Sequence, residues 1–219
     1  MMLEPCSALG GRWGVATALD GPFADGVVIQ ERADLGSVVC TAPADPARTA
    51  PALGRVLRVA LPMSPGAVAG GQGRSAVWLN PRAWLLVCDA NDDRTIAADI
   101  TAAFSRGQIH ATVGSDALCW LEVIGAGAED ALRQGSFISL APGGLAVGHA
   151  RHTLLAGIRV LVHRTQHNGW RIAVERSRAR YLVDWFACGT QRAVRAPLSS
   201  GPPGAGADGR REAARRRNP

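Results

Sequence analysis

Between residues 117 and 186 apolar positions recur first at every second residue and later at helical spacing. The order they spell is strand, short helix, hairpin, strand, helix. The run at 118–124 reads as a strand leading to a short helix on which Ala128, Ala131 and Leu132 face one way. A turn at Ala156-Gly157 joins two strands, with Ile158, Val160 and Val162 alternating onto one face. Trp170, Ile172 and Val174 form the next inward row. Ser177 reads as the N-cap of a helix whose Tyr181, Leu182, Trp185 and Phe186 share one stripe.

Upstream the pattern is looser. Residues 27–31 and 37–41 read as short strands, 42–51 as a Pro/Ala loop, and 55–61 as a strand or a helical turn ahead of Pro62. Residues 66–74 read as a Gly-rich connector. A hairpin follows, with strands at 75–79 and 83–88 around the turn initiator Asn80-Pro81. Asp92 and Asp93 then precede a stripe of Ile96, Ile100 and Phe104, acids at the start of a helix. The expected fold is α+β: two βαβ-like halves with mainly antiparallel sheets covered by helices. The expected organisation is an N-terminal part of strands and loops (1–54) belonging to the body, an α+β domain (55–188), and a disordered Pro/Gly/Arg-rich tail (189–219).

At 219 residues, with 47% hydrophobic and 19% charged residues, the chain holds one substantial domain or two small ones. The net charge of +6 invites a nucleic-acid reading, but residues 191–219 alone carry seven arginines against two acids. That leaves about +1 for the folded part, so the basicity belongs to the tail and no nucleic-acid partner is expected. All 24 basic residues are arginine, which removes Schiff-base, pyridoxal and Walker P-loop chemistry. No apolar run reaches the roughly 18 residues of a membrane span. The N-terminus lacks a basic segment before an apolar core, so the expected location is the cytoplasm, with no membrane contact. The five cysteines are scattered without a Cys-x-x-Cys pair.

Candidate chemistry is sparse. Gly125-Ala-Gly127 opens a helix after a strand, but Asp130 stands where a dinucleotide fingerprint has its third glycine. His163 and His167 lie four apart on what reads as a hairpin loop, where that spacing does not align two imidazoles for a metal. Asp116 and Glu122 share one strand and read as turn and surface residues. The serines lack an adjacent base. Catalytic, cofactor-binding and metal-binding residues are therefore expected to be absent from this chain. Trp84, Trp120, Trp170 and Trp185 are the candidate subunit-interface residues, since aromatic side chains are enriched at such boundaries.

Four stretches together resemble one family. WLNPRAWLL (78–86) is similar to the Trp-Leu-Gly-Pro-x-Glu-Trp-Leu hairpin of the gamma subunit of heterotetrameric sarcosine oxidase. SDALCWLEVIGAGA (115–128), the hairpin RHTLLAGIRVLVHR (151–164) and the closing Trp170 to Trp185 stretch resemble its later segments, over roughly residues 55–188. Asn80, Ala83 and Ala126 depart from the family's glycine, acid and proline, and Ser136-Phe-Ile-Ser139 from its Cys-Pro-Leu-Asp type segment. The resemblance implies the fold of the folate-binding aminomethyltransferase (glycine-cleavage T-protein) domain. It also implies a non-catalytic place beside alpha, beta and delta subunits in oxidative demethylation of sarcosine. That reaction yields glycine, hydrogen peroxide and either formaldehyde or methylenetetrahydrofolate. FAD, FMN, NAD, zinc and tetrahydrofolate are implied on the partner subunits, none on this chain. The alternative is a free-standing folate-binding, one-carbon protein of the same fold.

Overall fold

The computed structural model describes residues 6–43, 45–71, 73–140 and 143–194. In chain order its elements begin with β1 (Ala16–Ala18), β2 (Val28–Arg32), β3 (Leu35–Thr41) and α1 (Pro46–Leu57). They continue with β4 (Val68–Gly71), β5 (Arg74–Asn80), β6 (Ala83–Asp89), α2 (Asp93–Ala103) and β7 (His110–Val113). The last are β8 (Leu118–Ile124), α3 (Ala128–Arg133), β9 (His149–Leu155), β10 (Ile158–Gln166), β11 (Gly169–Glu175) and α4 (Ala179–Val194).

β6 explains the architecture. Six consecutive residues of it are buried, so both of its faces are covered. Trp84, Leu86 and Cys88 join a core with Leu53 and Leu57 of α1 and Ile96 and Ile100 of α2. Leu85 and Val87 point the other way, into a core shared with Trp120, Leu161 and Ala173 of a second sheet. The first sheet has the order β4-β5-β6-β3-β7 and the second β1-β2-β8-β11-β10-β9, with every pairing antiparallel. The outer face of the second sheet packs Val160, Val162, Trp170, Ile172 and Val174 against Leu132 of α3 and Leu182 and Phe186 of α4. The result is four layers, with the two sheets face to face and helices outside each.

The α+β class with antiparallel, helix-covered sheets is as expected, but the two halves are not contiguous in the chain. β1 and β2 from the N-terminal part complete the sheet formed by the C-terminal strands. Several local expectations are corrected. The 42–51 stretch is not a loop: α1 starts at Pro46, where a missing N–H costs nothing, and the Asp45 carboxylate accepts the Arg48 N–H at 3.1 Å. The same helix crosses the expected boundary at 54/55, and 55–57 are helical. The Gly-rich connector contains β4, paired to β5. Ser177 does not cap α4; it lies inside a 3₁₀ turn, Arg176–Arg178. α4 runs to Val194, past the expected start of the tail, and residues 195–219 lie outside the described residues.

Turns follow their residues. Asn80 Oδ1 accepts the Arg82 N–H at 2.9 Å in the β5–β6 hairpin. Ala156 and Gly157 both take positive φ, 52° and 80°, as a two-residue hairpin loop with matching twist requires. Among the described residues no helix is long and apolar enough to cross a membrane.

Candidate functional site

The four expected interface tryptophans separate sharply. Trp84 is 1% exposed and donates its indole N–H to the Pro62 carbonyl at 2.7 Å. Trp120, 3% exposed, lies between the sheets and donates to Ser37 Oγ at 2.9 Å. Trp170, fully buried, packs beneath α4 with the Arg164 guanidinium 4.7 Å from its ring centre. These three are enclosed by the chain's own side chains and present no ring to a neighbour. Their strands are covered on both faces, which periodicity alone does not reveal. Only Trp185 is half-buried, edge-on to Phe186 and seated over Gly135.

Around Trp185 the surface is aromatic. Phe137 is 76% exposed, and Tyr181 and Leu154 are exposed beside it. The chain holds them together at the β9–β10 turn: the Phe137 N–H donates to the Leu154 carbonyl at 3.2 Å, and the Tyr181 hydroxyl to the Ala156 carbonyl at 3.0 Å. The helical stripe placed Tyr181 inward; the structure turns it out. Phe137 was not singled out in the sequence, although a phenylalanine in a polar Ser-Phe-Ile-Ser stretch is a signal of exposure.

Several of the buried groups with chemical potential are engaged or silenced. Burial pushes the thiols of Cys40, Cys88 and Cys119 up to about 12, so they stay protonated at neutral pH. His163 does not lie on a loop as expected: it is in β10 opposite Arg171, with His167 in the turn beyond. Burial first, then Arg171 and His149, lowers the His163 imidazole to about 4, so it is neutral. In the same cross-strand row Glu122 takes Arg32 at 2.7 Å and Arg171 at 3.4 Å, and Arg32 also holds Asp34 at 2.7 Å. The Asp34 hydrogen bond, with Glu122 behind it, raises the Arg32 guanidinium above its ordinary value. Asp116 does not share a strand with Glu122 as expected: it lies in the turn ahead of β8, exposed, and reaches Arg94. At Gly125-Ala-Gly127 the backbone of residues 25–27 fills the space a pyrophosphate would need; a Cβ on Gly127 would lie 2.8 Å from the Asp25 carbonyl. Among the described residues no three His, Cys, Asp or Glu side chains converge as metal ligands do.

Two mostly apolar concave surfaces stand beside a polar one of about 280 Å³ lined by Arg58, Arg74, Asp89 and Asp92. One, of about 310 Å³, opens between the sheets over Leu79, Leu85, Leu118 and Leu161, with His152 and Arg159 at its rim. The other, of about 590 Å³, runs along α1. Neither gathers an acid, a base and a nucleophile. What the surface offers is apolar contact with a few charges.

The family model described as "Sarcosine oxidase, gamma subunit family" matches residues 40–191. Sarcosine oxidase subunit gamma of Corynebacterium sp. strain P-1 is 31% identical over 138 residues, 62% of this chain and 66% of the relative. That of strain U-96 is 31% identical over 136 residues, 62% of this chain and 65% of the relative. The alignment thus spans just under two thirds of the length of these relatives. Among solved structures, a chain of heterotetrameric sarcosine oxidase from Corynebacterium sp. U-96, in complex with pyrrole 2-carboxylate, superposes with a TM-score of 0.72 at 26% identity. That match covers 81% of this chain and 92% of the other. Glycine cleavage system aminomethyltransferase T from Bartonella henselae is similar in fold alone, with a TM-score of 0.56 at 13% identity over 75% of this chain and 46% of that one.

Proposed function

Because the chain belongs to the sarcosine oxidase gamma subunit family, we propose that it is the non-catalytic gamma subunit of a heterotetrameric sarcosine oxidase. Its role is to support the flavin-bearing alpha and beta chains, with delta completing the assembly in the cytoplasm. The reaction of the whole is oxidative demethylation: sarcosine, oxygen and water become glycine, formaldehyde and hydrogen peroxide, or the one-carbon unit is taken by tetrahydrofolate. FAD, FMN and NAD reside on alpha and beta, and zinc on delta. The observation that carries this reading is the family match over residues 40–191, joined to a superposition covering 92% of a chain from such a heterotetramer.

The chain's own chemistry is in keeping with a packing role. The three buried thiols are held protonated and His163 neutral, and the Glu122 carboxylate is occupied by two arginines. The exposed Phe137, Tyr181 and Leu154, with Trp185 behind them, form the contact surface we assign to a large subunit.

Co-expression with the other three subunits tests the reading. The expected result is a complex containing this chain that turns over sarcosine, and an isolated chain with no flavin absorbance and no peroxide production. Turnover by the isolated chain would overturn it. Tight tetrahydrofolate binding by the isolated chain in calorimetry would instead favour the one-carbon binder.

A further inference from the structure

We propose that the groove between α1 and residues 59–63 seats an extended, acidic segment of a partner subunit; this rests on the subunit reading above. The groove is preformed. Gly54 has no side chain, so the returning backbone lies against the helix: the Val59 N–H donates to the Gly54 carbonyl at 3.1 Å, and a Cβ on Gly54 would lie 3.0 Å from the Val59 carbonyl. Trp84 pins the same segment through the Pro62 carbonyl. A rigid groove lowers the ordering cost of binding.

Its chemistry selects the occupant. The walls are apolar, with Met63 50% exposed at the mouth, large enough at about 590 Å³ for several residues. Residues 60–63 belong to no helix or sheet, Pro62 biases Leu61 toward extended backbone, and among the described residues the amides of Ala60, Leu61 and Met63 donate no backbone hydrogen bond. An added strand on one edge would take the Leu61 and Met63 amides, which lie two residues apart, as in β-augmentation. Of the residues lining the groove Arg55 and Arg58 are charged and none is acidic, and among the described residues neither arginine is in an ion pair. An acidic segment complements them. The chain's own C-terminal stretch, with seven arginines against two acids, carries the wrong charge to fill the site itself.

The test uses the full chain and the complex of the other three subunits. R55E/R58E reverses two exposed charges at the C-terminal end of α1, so its unfolding midpoint should fall by only about a few degrees while the fold is kept. Its affinity for the complex should fall by about tenfold or more, and the parent's affinity should weaken with salt. In the assembled complex the amides of residues 60–63 should gain protection from hydrogen exchange. Benzoylphenylalanine placed at Met63 should crosslink to a partner segment rich in Asp or Glu. Unchanged affinity of the double variant while the parent chain assembles normally would overturn the groove proposal and leave the subunit reading intact. So would crosslinking to a second copy of this chain or to nucleic acid. Failure of the parent chain to assemble at all would remove the subunit reading, and the groove proposal with it.

Discussion

The indole N–H of Trp120 donates to the hydroxyl of Ser37 at 2.9 Å, joining β8 of one sheet to β3 of the other. Ser37 is fully buried, and its own N–H is taken by Ser115 Oγ at 2.8 Å. The contact orients the two inner faces within an otherwise apolar interlayer. Trp120→Phe keeps the ring and removes the donor, and should cost about 1 kcal/mol, lowering the unfolding midpoint by about 2–4 °C. Trp120→Ala should cost about 3–5 kcal/mol. A double-mutant cycle with Ser37→Ala, followed by urea unfolding, isolates the hydrogen bond from the packing.

Acid should loosen the fold through His163. Its imidazole sits near 4 when folded, against an ordinary value of 6.5, because burial, Arg171 of β11 and His149 of β9 all oppose protonation. Glu122 lies beyond Arg171 and is already engaged by it. The unfolded chain therefore binds the proton more readily. The contribution is fully present above about pH 6.5 and is lost as pH falls toward 4. Stability should drop by on the order of 2 kcal/mol across that window. In His163→Gln that part of the pH dependence should disappear from chemical denaturation curves measured at pH 7 and pH 4.5.

Gly135→Ala should disturb the aromatic patch from beneath. A Cβ there would lie 2.6 Å from the Trp185 ring and 3.0 Å from the Ala156 amide, so α4 or the β9–β10 turn must shift. Overpacking of this kind costs about 1–3 kcal/mol. The checks are the unfolding midpoint and a change in tryptophan emission as Trp185 becomes more exposed.

Arg164 fastens a loop to the body. It donates to the carbonyls of Leu145 at 3.2 Å and His167 at 3.1 Å, pairs with Glu129 at 3.3 Å, and lies over Trp170. Arg164→Leu should cost about 3 kcal/mol, because it leaves carbonyls and a carboxylate without their donor. Hydrogen exchange should rise first in residues 143–148 and in α3. Arg164→Lys should recover part of the loss through its charge, without the planar fork.

Much of this fold was legible wherever burial is one-sided or turn chemistry is local. β8 spans the residues its alternation indicates, the Ala156-Gly157 and Asn80-Pro81 turns lie where their residues place them, and Ile96 and Ile100 are buried as their stripe requires. α1 was not legible. Its prolines and alanines read as loop, and helicity there depends on the Asp45 cap and on burying Leu53 and Leu57 beneath the first sheet. β4 and β7 are four residues each and owe their strand character to a neighbour's hydrogen bonds.

The candidate site was legible in kind but not in place. The sequence alone determined that the chain is an α+β body resembling one family, with tryptophans as its largest apolar anchors. Tertiary structure decided which of them remain available. Alternation tells the two faces of a strand apart, but not whether a second sheet lies against the polar-looking one. When the sheets stack, Trp120 ends up inside, while α1 and α2 cover Trp84 on the opposite face of the first sheet, and Phe137, Tyr181 and the α1 groove are what the surface keeps.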